Sequence, residues 1–138
     1  MRKGMLLIAL TAFMLLAAGC EKEEFANAPV YGKVYCKTPS PKVGQEVVLT
    51  VEVKEPGNRI NSADYRWKCS AFESDKRVKV IRESGANSIP DAPELTVVFN
   101  SSGTYSVSLS ASFKYTMGDR NTSMIGSASA SGKVTINP

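Results

Sequence analysis

The sequence predicts an all-β domain, a seven-stranded antiparallel β-sandwich over residues 28–138. Two observations predict this class. From about residue 28 the chain consists of short runs in which apolar and polar side chains alternate, and turn-forming residues separate the runs. No helical periodicity competes with this pattern beyond the N-terminal segment, so packed sheets are the expected architecture.

The clearest predicted strand spans residues 104–115, where one parity is apolar and the other consists of serine and lysine. Such alternation places one face on a core and the other in water. The same pattern predicts a strand through residues 47–53 and another at 63–70, in which Trp67 points inward. Further strands are predicted at 29–37, 76–83, 93–99 and 124–136. The last has small residues on its apolar parity, which should let bulky residues of the opposite sheet, Trp67 included, approach closely.

The N-terminal segment has the order of charge and apolarity that export signals have. Arg2 and Lys3 precede an apolar run at residues 5–18, which is shorter than the roughly 20 residues needed to span a bilayer. The run ends in Leu-Ala-Ala-Gly-Cys at residues 16–20, which resembles the lipobox of bacterial lipoproteins. The resemblance implies that residues 1–19 form a helical signal peptide and that Cys20 receives fatty acyl chains such as palmitate, which anchor the chain to a membrane.

A short charged tether follows the cysteine at residues 20–27. Its Lys22, Glu23 and Glu24 resemble the signal that sends some Gram-negative lipoproteins to the outer face of the outer membrane. A cell-surface location is therefore expected, and a location facing the periplasm is the alternative. The charges also suit a tether that only stays soluble, since this composition cannot bury a core.

Composition excludes several classes of function. The chain has 138 residues and no histidine, which removes the commonest general base and metal ligand. Its net charge is +4, or +2 without Arg2 and Lys3, too weak to indicate nucleic-acid binding. The acidic residues show neither calcium-loop spacing nor a carboxylate pair. We therefore expect no catalytic residues, no metal and no cofactor, and the chain is not expected to be an enzyme.

Residues 103–109 resemble the Gly-x-Tyr-x-Val-x-Leu strand of polycystic-kidney-disease-type (PKD) and related immunoglobulin-like domains. Trp67 stands where those domains have a core tryptophan, and Tyr105 matches the tyrosine corner, whose hydroxyl bonds back to the chain entering its strand. Trp67 is followed by Lys-Cys-Ser, not by the Asp-Phe-Gly-Asp-Gly turn typical of PKD domains, and the immunoglobulin cysteine pair is absent. The resemblance implies an immunoglobulin-like, PKD-like sandwich.

Cys36 and Cys69 each share parity with an inward residue of their strands. They either form a disulfide near one end of the sandwich or remain two small buried thiols, because parity does not set the separation of about 5.5 Å between Cα atoms that a disulfide needs.

Basic residues gather on two consecutive predicted strands, and several share the solvent parity. They suit an anionic glycan or phosphate, or they protect a sheet edge from pairing with other chains, and the second account suffices at this stage. The residues are Arg66, Lys68, Lys76, Arg77, Lys79 and Arg82.

These observations predict a membrane-anchored, non-catalytic lipoprotein whose sandwich binds or assembles with a glycan or an envelope protein. The alternative is a purely structural subunit of an envelope complex, and a small hydrolase is a remote third. In immunoglobulin order, the loops at 54–62, 84–92 and 116–122 should lie at the end where the tether enters, facing the membrane or a membrane-bound partner.

Overall fold

A computed structural model describes residues 27–117 and 122–138. The predicted leader, Cys20, Lys22, Glu23 and Glu24 lie outside the described residues. The described residues form an antiparallel β-sandwich, which confirms the predicted fold class. Its strands are β1 (Val30–Cys36), β2 (Glu46–Glu55), β3 (Ile60–Cys69), β4 (Lys76–Ile81), β5 (Leu95–Val98), β6 (Gly103–Met117) and β7 (Thr122–Ile136).

The strands form a three-stranded sheet in the order β1-β2-β5 and a four-stranded sheet in the order β4-β3-β6-β7. In an immunoglobulin constant domain the fourth strand joins the sheet of the first, second and fifth. Here β4 pairs with β3 from Ser62↔Ile81 to Trp67↔Lys76. The sheet that contains the tryptophan strand is therefore the larger one.

The core follows from strand parity. Tyr65, Trp67 and Ala63 of β3 lie opposite Ala111, Leu109 and Phe113 of β6 in an antiparallel register, and all six side chains are buried. The inner face of β2 meets them from the other sheet with Val47, Leu49 and Val51. Fully burying side chains of this size contributes about 1.5–3 kcal/mol each.

Several strands begin or end at residues other than the predicted ones. The third strand begins at Ile60, three residues before the predicted start, because a register shift between Ile60 and Ser62 breaks the period of two. The fourth and fifth strands are shorter than predicted. The sixth and seventh form a hairpin that continues to Met117 and Thr122, beyond both predicted limits.

The small residues of β7 receive the backbone of β1. A Cβ added at Gly132 would overlap the carbonyl of Val34, so the two strands approach more closely than any side chain would permit. The prediction that Trp67 would approach β7 from the opposite sheet was wrong. Trp67 lies on β3, in the same sheet as β7 and two strands away.

The connection from β4 to β5, residues 82–94, crosses from one sheet to the other and closes the end of the core. Its Ile89 is buried, and Asp91 accepts a hydrogen bond from the backbone of Gly57, in the loop between β2 and β3. Thr50 is also buried, and its hydroxyl donates to the carbonyl of Pro93 at 2.8 Å. No helix in the described part of the chain is long and apolar enough to cross a membrane.

We predict that Gly132→Ala lowers the free energy of unfolding by about 1–3 kcal/mol, because the new methyl group must displace the β1 backbone. Urea unfolding measures the change. Ser131→Ala is the matched control, since Ser131 is exposed on the outer face and its truncation should stay within about 0.5 kcal/mol. Equal stability of the two variants would mean that β1 does not lie against Gly132.

Candidate functional site

The outer face of the four-stranded sheet is strongly basic. Every second residue of β4, β3, β6 and β7 points to this face, as the strand pairing shows. Among the described residues, these side chains include six cations and one carboxylate. We call this surface the basic face. Its cations are Arg66 and Lys68 of β3, Arg77 and Lys79 of β4, Lys114 of β6 and Lys133 of β7, and its carboxylate is Asp64 of β3.

The cations of the basic face are largely unneutralised. Asp64 forms an ion pair with Arg77 at 3.3 Å. No other ion pair joins two residues of this face among those that the structure describes. Arg66 lies directly opposite Arg77 in the register of β3 and β4. Like charges directly opposite each other on one sheet face repel, so this arrangement does not stabilise the sheet.

Small hydroxyl side chains occupy most of the other outward positions of the basic face. In β6 and β7 they occupy successive outward positions and pair across the strands, as in Ser110↔Ser129 and Ser112↔Ser127. The middle of the face on β6 and β7 is therefore flat, because serine side chains are short. Four strands at about 4.8 Å spacing make it about 14 Å wide between the outer strand axes.

The sequence-predicted basic cluster and the observed face overlap only in part. Lys76 lies opposite Trp67 and so has the inward parity, although at the end of its strand it is exposed. Arg82 lies beyond β4, and its guanidinium donates to the carbonyl of Asn87. Lys114 and Lys133 were missed because they are far from β3 and β4 in sequence, and only sheet order brings them to this face.

The outer face of the three-stranded sheet is different in charge. On the outward positions of β2 the charged residues are Glu46, Glu52 and Lys54, which nearly cancel. Tyr35 of β1 is 43% exposed, and no other aromatic side chain among the described residues is classed as exposed. A lone ring is not a platform on which several sugar rings could stack.

Asn27, the first described residue, lies at the end of the sandwich where loops meet. Asn27 pairs with Asn58 of the β2–β3 loop through two backbone hydrogen bonds, at 3.3 and 2.9 Å. The backbone of Gly57 in the same loop bonds to Asp91 of the 82–94 connection. The loops at 54–62 and 84–92 therefore meet at one end, as predicted, and Asn27 lies beside them. Part of the predicted 116–122 loop lies outside the described residues.

Both residues singled out as core markers have the expected surroundings. Trp67 is fully buried between the sheets. The hydroxyl of Tyr105 donates to the carbonyl of Ser101 at 2.7 Å, four residues back in the chain entering β6. This is the geometry of a tyrosine corner. The ring of Tyr105 also packs on Phe99, with 5.0 Å between ring centroids.

Cys36 and Cys69 are free thiols in the structure, so the disulfide that parity allowed is not formed. Both are half-buried against the core. Sheet order explains their separation. β1 packs beside β7, whereas β3 lies two strands from β7, about 10 Å across the sheet, and a disulfide tolerates at most about 7 Å between Cα atoms. The Cys36 thiol instead contacts the carbonyl of Thr38 at 3.5 Å.

Acidic residues and cysteines are spread over residues 27–117 and 122–138. No group of three Cys, Asp or Glu side chains there could hold a metal ion. Burial raises the pKa of Tyr31 far above its ordinary value, with a further contribution from Tyr65, and burial likewise raises the pKa of Tyr65. Both phenols therefore stay neutral at physiological pH and serve the core, where each packs edge-on against Phe113.

No protein-family model and no curated protein matches the sequence. A solved PKD domain of an M14-like peptidase from a Thermoplasmatales archaeon is 15% identical with a TM-score of 0.41, over 82% of this chain and 100% of that one. A superoxide reductase (neelaredoxin) from Ignicoccus hospitalis is 13% identical with a TM-score of 0.41, over 78% of this chain and 82% of that one. At these scores neither likeness bears on function, and the fold class rests on the strand order and pairing.

Because Cys36 and Cys69 are free thiols, we predict that both react with an alkylating reagent. Alkylation of the unfolded protein without reductant should modify both Cys36 and Cys69, and prior reduction should change nothing. Peptide mass spectrometry measures this. Modification that appears only after reduction would show that the thiols are bonded and that β1 lies nearer to β3 than the sheet order allows.

Proposed function

We propose that the chain is a non-catalytic lipoprotein, held in the outer membrane by acyl chains on Cys20, whose sandwich is a binding or assembly module for a glycan or a protein of the cell envelope. The lipobox-like residues 16–20 support the anchor, and Lys22, Glu23 and Glu24 support display on the outer face of that membrane.

The observation that carries the proposal is the pairing of Asn27 with the sandwich, a short distance after Cys20 in the sequence. Asn27, seven residues after Cys20, is already paired with the β2–β3 loop. Seven extended residues reach about 25 Å at most. A lipid on Cys20 would therefore keep the loop end of the sandwich close to the membrane, while the opposite end remains accessible.

A binding role suits the described chemistry better than catalysis. The full sequence has no histidine, and no group of three Cys, Asp or Glu side chains among the described residues could hold a metal ion. Recognition through charged and polar contacts is favoured over stacking on sugar rings, because Tyr35 stands alone among the exposed aromatic side chains described.

Anchoring is tested by Cys20→Ala. We predict that this variant carries no lipid label, remains as uncleaved precursor and is lost from the lipoprotein fraction, because only the thiol accepts the diacylglyceryl group. Metabolic fatty-acid labelling and precursor mass measure it. Normal processing of the variant, with retention of the label, would rule out the anchor.

The module role is tested with the same pair of proteins. The wild type, enriched from native envelopes after cross-linking, should bring with it a defined glycan or protein that the Cys20→Ala variant does not. Recovery of the anchored protein with no specific companion would favour a structural accessory subunit.

Surface display is tested by replacing Lys22, Glu23 and Glu24 together with alanine. The variant should keep its lipid but lose most of its cleavage by protease added to whole cells, because only the export signal has changed. Replacement of Glu21 alone by alanine is the control. Equal cleavage of the two variants would show that Lys22, Glu23 and Glu24 are not an export signal and that residues 21–27 serve only as a soluble tether.

A further inference from the structure

The cations of the basic face are not explained by protection of a sheet edge. Edge protection accounts for Arg77, Lys79 and Lys133, because β4 and β7 are the edge strands of this sheet. Arg66, Lys68 and Lys114 lie on β3 and β6, which are interior strands and have no free edge. Cations on interior strands point to something that covers the face.

Two exposed isoleucines mark one end of the basic face. Ile81 is 68% exposed and Ile125 is 74% exposed, the highest values among the large apolar side chains described. Strand pairing places them in a single row across the sheet, Ile81–Ser62–Lys114–Ile125, with Lys114 between them. A row that combines apolar side chains with a cation suits the boundary between lipid headgroups and acyl chains.

The same row lies at the end where the tether enters. Gly126, next to Ile125, abuts Ala28 at the start of the fold, and the backbone of Arg82, next to Ile81, bonds to Asn61 just beyond the β2–β3 loop. The part of the chain that would carry the lipid therefore leaves the sandwich beside the isoleucines. A face held this near to a membrane meets it at high effective concentration.

We propose that the basic face is a membrane-docking surface, which lies on anionic phosphate headgroups while Ile81 and Ile125 enter the headgroup layer. Phosphates neutralise the cations that the fold leaves unpaired. This docking extends the proposed anchoring by fixing the orientation of the domain, and it turns the nearly neutral outer face of β1, β2 and β5 away from the membrane.

A lipid surface fits the face better than an acidic polysaccharide. A soluble polyanion would use the cations but would leave the two isoleucines exposed, and it gives no reason for their position at the tether. A membrane uses the cations, the isoleucines and the point of entry together.

The test is lysine acetylation of the lipidated protein, reconstituted in phosphatidylcholine vesicles with or without phosphatidylglycerol and read by peptide mass spectrometry. Lys68, Lys79, Lys114 and Lys133 should react about fivefold more slowly on the anionic vesicles, the factor expected for one cation at such a surface. Lys33 and Lys54, on the other sheet, are internal controls and should react equally on both. Salt at about 1 M should abolish the protection.

Two matched double variants separate docking from net charge. Lys68→Glu with Lys133→Glu should abolish the protection of Lys79 and Lys114, whereas Lys33→Glu with Lys54→Glu changes the net charge equally and should leave it intact. Ile81→Ser with Ile125→Ser should weaken it. All six positions are exposed, and thermal unfolding checks that each variant is folded.

Equal acetylation of the face on both kinds of vesicle would overturn the proposal. So would protection by soluble polygalacturonate without protection by anionic vesicles, which would make the face a glycan site. Flotation of the protein with vesicles distinguishes failure of the proposed lipid anchor from failure of the proposed docking. A protein that does not float with phosphatidylcholine vesicles lacks the anchor, and its flotation with anionic vesicles still reports docking.

Discussion

The antiparallel register of β3 on β6 is the constraint on which both the core and the surface depend. With Trp67 opposite Leu109, every second residue of the two strands enters the core, and the residues between them, Arg66 and Lys68 among them, form the outer face. A slip of one residue would bury these cations and expose Trp67. The free energy that fixes the core thus also fixes the basic face.

Alternation predicted much of this arrangement, because parity is a local property of a strand. It assigned Trp67 and the apolar parity of 104–115 to the interior, and the tyrosine corner at Tyr105 followed from a local motif. Parity does not say which strands share a sheet. That information lies in long-range pairing, and it decides both that Cys36 is far from Cys69 and that Gly132 receives β1.

The candidate site was predictable only in part for the same reason. Arg66, Lys68, Arg77 and Lys79 are close in sequence because β3 and β4 are consecutive strands, so their clustering was visible. Lys114 and Lys133 join them only because β6 and β7 continue the sheet on the other side of β3. The row of Ile81 and Ile125 was invisible, since it joins two edge strands across the full width of the sheet.

Stability alone does not account for the basic face. Unpaired cations on one sheet repel each other, and Arg66 lies directly opposite Arg77. The exposed pair of Arg77 with Asp64 contributes only about 0–1 kcal/mol. Serines around the cations bring no opposite charge, and the other sheet of the same sandwich nearly balances its own charges. A surface that is unfavourable in the isolated domain becomes favourable once phosphates lie against it. The energetic reason that we propose for this face therefore lies outside the domain, in the phosphate headgroups of a membrane.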